Sequence, residues 1–415
     1  MSSLMLTTPL IEDSSDDHYA SAVTIRDTTS STVYVECLIR GSLLVSNISS
    51  ALEVFTRGLN KVKELFPGKE IKCHLVLDQI ENLQDNASPT LRKFIRTSKQ
   101  TLGDLSESLT VSSRQRPILH ALVVAFGPHL FGQRSVHVQQ LPVGNGNFVD
   151  DESGMAPTSL VSIMRKSATL DVLSLEHFGT IPAIELEECV YVMRAANVHQ
   201  DPPLRELCLK GLTLTSEPNE NSEKLLSKLI TICKNLDKIV LDDIQVQDST
   251  GSKRQMSFQY LGQAISSLKK LQVLEVSRLD LEQGCVEEMD ASTLPEMGGW
   301  RQFMASSTLQ DSLRSLSMIN CNISDIVTVS TLLHHKDGQR FPKLSKLDVS
   351  DNELIMVMHI LSLRKAYGDE VVITDREVAD FAASEEVEEE KKQDEDEDDD
   401  DVELLADTFD CTQMY

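Results

Sequence analysis

The chain has 415 residues, 40% of them hydrophobic, which is ordinary for a globular protein and allows a large core or two to three domains. The formal net charge is −26, and the basic clusters, Lys253–Arg254 and Arg114/Arg116, are small, so nucleic acid and an anionic membrane surface are excluded as expected partners. Aromatic residues make up 5%, with Trp300 the one tryptophan, so aliphatic side chains must fill most of the core.

Residues 1–30 are rich in Ser, Thr and Asp, show little periodicity and read as a disordered lead-in without a signal peptide. From residue 31 strand and helix text alternate. VYVECLIRGSLLV (33–45) has strand composition. Residues 48–66 place Leu52, Phe55, Leu59, Val62 and Leu65 on one helical face. IKCHLVL (71–77) reads as a strand, 89–109 as a helix opened by Pro89, and Ile118–Phe126 as a buried strand too short to cross a bilayer. This order argues for parallel pairing over 31–140, either as degenerate repeats or as a separate small α/β domain. Residues 141–157, LPVGNGNFVDDESGMAP, form a loop.

Beyond that loop one pattern recurs. LDVLSL starts at Leu170, LRELCL at Leu204, LDKIVL at Leu236, LQVLEV at Leu271, LRSLSM at Leu313 and LSKLDV at Leu344. Each reads L-x-x-L-x-L, with starts 31 to 42 residues apart. The last two apolar residues alternate in a short strand and point inward, and the segments at 222–236, 257–271 and 352–367 read as helices. Each unit alone exposes an apolar side, which stacking buries. Cys321 and Asn352 fall at the bend leaving the strand, where side chains can bond neighbouring backbone. Residues 371–375 read as a terminal strand. LHALVVAFG from Leu119 matches the spacing through Leu119, Leu122 and Val124, whereas IKCHLVL does not.

This pattern resembles the leucine-rich repeat family, in its long, ribonuclease-inhibitor-like form. The resemblance implies an α/β solenoid shaped as a horseshoe, with parallel strands on the concave face and helices on the convex one. The repeats would occupy 158–380, with 381–415 as a disordered acidic tail. Between Ser384 and Asp410 sixteen acids stand against two lysines, so about half of the net charge sits there. The last stretch, VELLADTFDCTQMY, is a frayed end or a short linear motif. Long repeats followed by an acidic tail are also similar in layout to the Ran GTPase-activating proteins, which would make the chain an activator of a small GTPase.

No P-loop, nucleophile-elbow or H-E-x-x-H motif occurs, so no catalytic residue, cofactor or metal is expected. GNGN (144–147), beside Asp150, Asp151 and Glu152, lacks the context of a phosphate or calcium loop, and His334–His335 reads as a favourable helix C-terminus. The eight cysteines are scattered, as in a reducing compartment, cytoplasmic or nuclear. The expected site is the concave face. Its outward positions include Glu176, Glu206, Lys210, Lys238, Asp242, Glu275, Ser317, Lys346, Asp348 and Ser350. A broad, mixed-charge face suits a protein partner better than a small ligand. The acidic tail serves solubility and self-repulsion, or acts as an electrostatic arm for a basic partner such as a histone, an import receptor or a small GTPase's basic patch.

Overall fold

All three apolar positions of all six L-x-x-L-x-L matches are buried, from Leu170, Leu173 and Leu175 to Leu344, Leu347 and Val349. In the computed structural model, which describes residues 11–16, 19–83, 106–126, 134–142, 159–165, 169–198, 200–216, 221–281, 299–323, 330–333 and 339–375, these positions line one shared core. Met1–Thr374 form one unit and Asp375–Tyr415 a second, of which only Asp375 is described.

The strands are β1 (Ile11–Asp16), β2 (Tyr19–Thr28), β3 (Thr32–Leu43), β4 (Glu70–Leu83), β5 (Ser106–Ser113), β6 (Ser135–Gln140) and β7 (Val172–Pro182). They continue as β8 (Glu206–Thr215), β9 (Lys238–Gln247), β10 (Lys253–Gln255), β11 (Val273–Ser277), β12 (Ser315–Ile319), β13 (Lys346–Asp348) and β14 (Val372–Ile373). The helices are α1 (Val45–Leu65), α2 (Arg116–Phe126), α3 (Ser159–Met164), α4 (Ala183–Ala196) and α5 (Ser222–Ile232). After them come α6 (Gln259–Ser266), α7 (Gly299–Ala305), α8 (Ser307–Ser312), α9 (Ser330–Leu333) and α10 (Val357–Tyr367). No described helix is long and apolar enough to cross a membrane.

The strands form one sheet in chain order, with β10 off the path as an antiparallel partner of β9. The β1–β2 and β2–β3 pairs are antiparallel, and every later neighbour on the path is parallel. Side chains alternate across a strand, so register partners stack in columns. One buried column is Cys37, Leu75, Leu109, Val136, Leu173, Leu207, Ile239, Leu274, Leu316 and Leu347. A second runs from Ile39 through Leu77, Val111, Val138, Leu175, Leu209, Leu241 and Val276 to Met318. The columns cross the β6–β7 junction without a break, so both halves of the chain share one sheet. This mostly parallel sheet with intervening helices is compatible with a repeat solenoid.

The first half departs from the sequence reading in four places. Ile118–Phe126 is not a strand but most of α2. Pro117 sits in its first turn, and Ile118, Leu119, Leu122 and Val123 are buried at helical spacing. A short apolar run does not distinguish helix from strand by itself. The strands there are β5 and β6, whose apolar pairs are diluted by Ser, Thr, His and Gln. Their leading Leu is replaced by Ser106 and Gln133, and in β3 and β4 by Tyr34 and Lys72, which hides the repeat. Second, 106–109 belong to β5 rather than to a helix, and the rest of the helix expected over 89–109 lies outside the described residues.

Third, residues 19–28 of the expected lead-in form β2, with Tyr19, Ala22, Val23 and Ile25 buried. Fourth, α1 turns Leu65 out, 53% exposed, and buries Ile48, Ala51, Phe55, Leu59 and Val62. An added Cβ on Gly58 would lie 2.6 Å from Val23 Cβ, so the helix backbone approaches β2 closely.

The later helices are shorter than expected: α5 ends at Ile232, α6 spans Gln259–Ser266 and α10 starts at Val357. The Asn221 side chain accepts from the backbone N–H of Glu223 (2.9 Å) and Lys224 (3.2 Å) and starts α5. Gly368, at φ +102°, ends α10. A left-handed residue stands at the bend of β3, β4, β7, β8, β9, β11, β12 and β13: Gly41, Gln79, His177, Gly211, Asp243, Arg278, Asn320 and Asp351. After that bend β7, β8 and β9 continue and bury a second apolar set, Phe178 and Ile181, Leu212 and Leu214, Ile244 and Val246. At the C-terminal end β14 pairs with β13, where a terminal strand is expected.

Candidate binding face

Residues between the buried columns point to the opposite face of the sheet. They form three rows across the six clear repeats. The first passes through Val172, Glu206, Lys238, Val273, Ser315 and Lys346. The second passes through Ser174, Cys208, Val240, Glu275, Ser317 and Asp348. The third contains Glu176, Lys210, Asp242, Ser277 and Ile319, with Ser350 just past β13. Nine of the ten sequence-derived candidates stand in these rows, and Ser350 follows β13.

Most of the charges there are already paired. Lys210 Nζ lies 3.5 Å from Glu176 Oε1, Arg278 lies 2.8 Å from Asp242 Oδ1, and Lys346 Nζ lies 3.4 Å from Asp348 Oδ2. The Ser350 hydroxyl donates to Asp348 Oδ1 at 2.8 Å. Ser317 and Asp348 are buried and offer little area to a partner. Glu206, Lys238 and Glu275 are half-buried and make no side-chain hydrogen bond or ion pair among the described residues. They are the charges most available for an incoming group.

The face also continues into the N-terminal strands, which the sequence pattern did not reveal. Its rows there carry Glu36, His74, Ser108 and Ser135, then Leu38, Val76, Thr110 and His137. His74 hydrogen-bonds with the Ser108 hydroxyl, and Ser135 Oγ with His137 Nε2 at 2.7 Å. The Tyr34 ring stacks on His74 at 6.1 Å, with Lys72 Nζ 6.0 Å from the Tyr34 centroid. Burial lowers the His137 pKa below its ordinary value, opposed by Glu176 and Glu206 and aided by His74. Seeing this patch in sequence would have required matching V-x-V and L-x-V pairs without their leading Leu.

Burial raises the Cys208 thiol, which makes it a poor nucleophile. Among the described residues no group of three or more His, Cys, Asp or Glu side chains could hold a metal ion. GNGN, Asp150, Asp151, Glu152 and His334–His335 lie outside the described residues. Cys37, Cys73, Cys189, Cys233 and Cys321 are free and buried.

No protein-family model matches the chain, and no curated protein matches it either.

Proposed function

We propose that this chain is a leucine-rich repeat scaffold that holds a partner protein on the helix-free face of its sheet. In this reading the strands line the concave side of a horseshoe and the helices its convex side. The observation that carries it is the continuity of the outward rows from β3 to β13. Ten strands about 4.8 Å apart give a face roughly 45 Å long. That is the scale of a protein–protein interface, whereas a small ligand needs a deep apolar pocket. Glu206, Lys238 and Glu275 sit near its middle, where desolvated contacts count most. The acidic segment 384–410 serves as an electrostatic arm for a basic partner and speeds association at low salt. Free buried thiols suit a cytoplasmic or nuclear setting.

The test is affinity capture at low and moderate salt. The bait is the full chain, a form lacking 384–415, and the variant Glu206→Lys/Lys238→Glu/Glu275→Lys. The face variant should lose the partner at both salt concentrations, and the shortened form should capture less partner than the full chain at low salt, with the difference shrinking at moderate salt. A partner retained by the face variant overturns the reading.

Long repeats joined to an acidic segment favour a second reading, activation of a Ran-like small GTPase. Acceleration of GTP hydrolysis by Ran at micromolar protein supports it, and an unchanged rate removes it.

A further inference from the structure

The residue after the first Leu of each repeat forms a ladder along the edge where strands begin. Its rungs are Asp171, Arg205, Asp237, Gln272 and Arg314, preceded by Arg134. Successive rungs are tied by backbone hydrogen bonds, such as Arg205 N–H to the Asp171 carbonyl at 2.7 Å and Arg314 N–H to that of Gln272 at 2.7 Å. Arg134 pairs with Asp171 and Arg205 with Asp237, each at 2.8 Å. At Gln272 the alternation of charge stops. Arg314, the next rung, has no ion pair among the described residues, and neither has Lys269. Lys270 Nζ donates to Asn235 Oδ1 at 2.8 Å, a neutral amide that leaves its charge uncompensated.

These three cations line one end of a cleft of about 520 Å³, together with Asp311 and Ser312.

We propose that this end of the cleft binds a phosphoryl group, held by Lys269, Lys270 and Arg314. A phosphate monoester carries about −1.5 to −2 at neutral pH and presents three acceptor oxygens. Three cations against the one acid Asp311 leave a surplus that matches it, whereas a single carboxylate needs only one partner. A local positive surplus on a chain of net charge −26 also gives an anion a defined place to bind. The phosphoryl group comes either from a phosphorylated peptide or from a small free ester.

The experiment measures fluorescence anisotropy of a labelled phosphoserine peptide with the full chain at about 0.15 M salt, a Debye length of about 8 Å. Controls are the unphosphorylated peptide and competition by free O-phosphoserine. Lys269→Ala/Lys270→Ala/Arg314→Ala should weaken phosphopeptide binding at least about tenfold, a loss of about 1.4 kcal/mol or more. Removing two exposed lysines elsewhere, Lys61→Ala/Lys63→Ala, should change it less than about twofold. If the triple variant does not fold, Lys269→Ala/Lys270→Ala, which keeps Arg314, reads the same loss. Equal binding of the unphosphorylated peptide, no binding of the phosphopeptide, or unchanged affinity in the lysine variant overturns the proposal. Competition by O-phosphoserine at similar affinity assigns the site to small esters, and its absence assigns it to peptides. The face variant of the preceding proposal should bind the phosphopeptide normally, so the two readings fail separately.

Discussion

Asn352 shows how one side chain couples two repeats. Its Oδ1 accepts from Cys321 N–H at 2.8 Å, and its Nδ2 donates to the carbonyls of Met318 (2.7 Å), Val349 (2.9 Å) and Ser350 (3.0 Å). The residue is buried, so Asn352→Ala leaves several backbone groups unpaired and should cost roughly 3 kcal/mol, read as a lower urea midpoint. His120 is buried beside the Phe178 ring at 4.3 Å, with Nε2 3.0 Å from the Phe178 carbonyl oxygen. Burial pushes its pKa down to about 4 from an ordinary 6.5, Arg116 adds to the shift, and the carbonyl opposes it. Above pH 6.5 the imidazole is neutral in both folded and unfolded chains and the stability is fully present. As pH falls from there to about 4, the unfolded chain takes up the proton first and stability drains away, by roughly 3 kcal/mol in all. Urea midpoints at several pH values should therefore fall less steeply in His120→Phe than in the parent. Equal slopes would mean that this imidazole is not shielded from water.

At the scale of elements, packing is set by backbone approach as much as by apolar pattern. An added Cβ on Gly262 of α6 would lie 1.9 Å from the Gly299 carbonyl oxygen at the start of α7. Beside this crossing Phe258, Trp300, Phe303 and Phe341 form a buried aromatic cluster, with ring centroids 5.3 to 6.0 Å apart. Gly262→Ala must push the helices apart and should cost roughly 3 kcal/mol, seen as a shifted unfolding transition in the fluorescence of the single tryptophan. Leu347 sits fully buried in the column shared with Leu316, and Leu347→Asp places a charge there. The C-terminal repeats of that variant should lose protection in hydrogen exchange first. A variant that melts like the parent would falsify the register.

For the molecule as a whole, the open question at each end of the sheet is what covers the last strand. At the N-terminal end β2 pairs with β3 and packs Val23 against α1 at Gly58. A lead-in without structure would be dispensable. Deleting residues 1–30 should instead bare the edge of β3 and the apolar face of α1, lower the melting temperature and cause concentration-dependent association in light scattering. Unchanged melting and a monomeric product would show that β2 contributes nothing.

The spacing of Leu170, Leu173 and Leu175 and its five later copies determined by itself that the C-terminal half repeats, which residues line the core and which face the other side. Three apolar residues at fixed offsets leave few ways to bury them all, so local pattern was enough. It also located Asn352 at the bend, because a small amide beside a strand exit has few other uses. Only the tertiary structure decided that β3 to β6 share the same columns, that Ile118–Phe126 is helical and that β1 and β2 extend the sheet beyond β3. In those segments the apolar positions are fewer, and their burial is set by neighbours distant in sequence. The same holds for the binding face. Its rows could be written down from the register, but whether Glu176, Lys210 and Asp242 are free or paired depends on which side chains meet across strands, a matter of distance rather than of order.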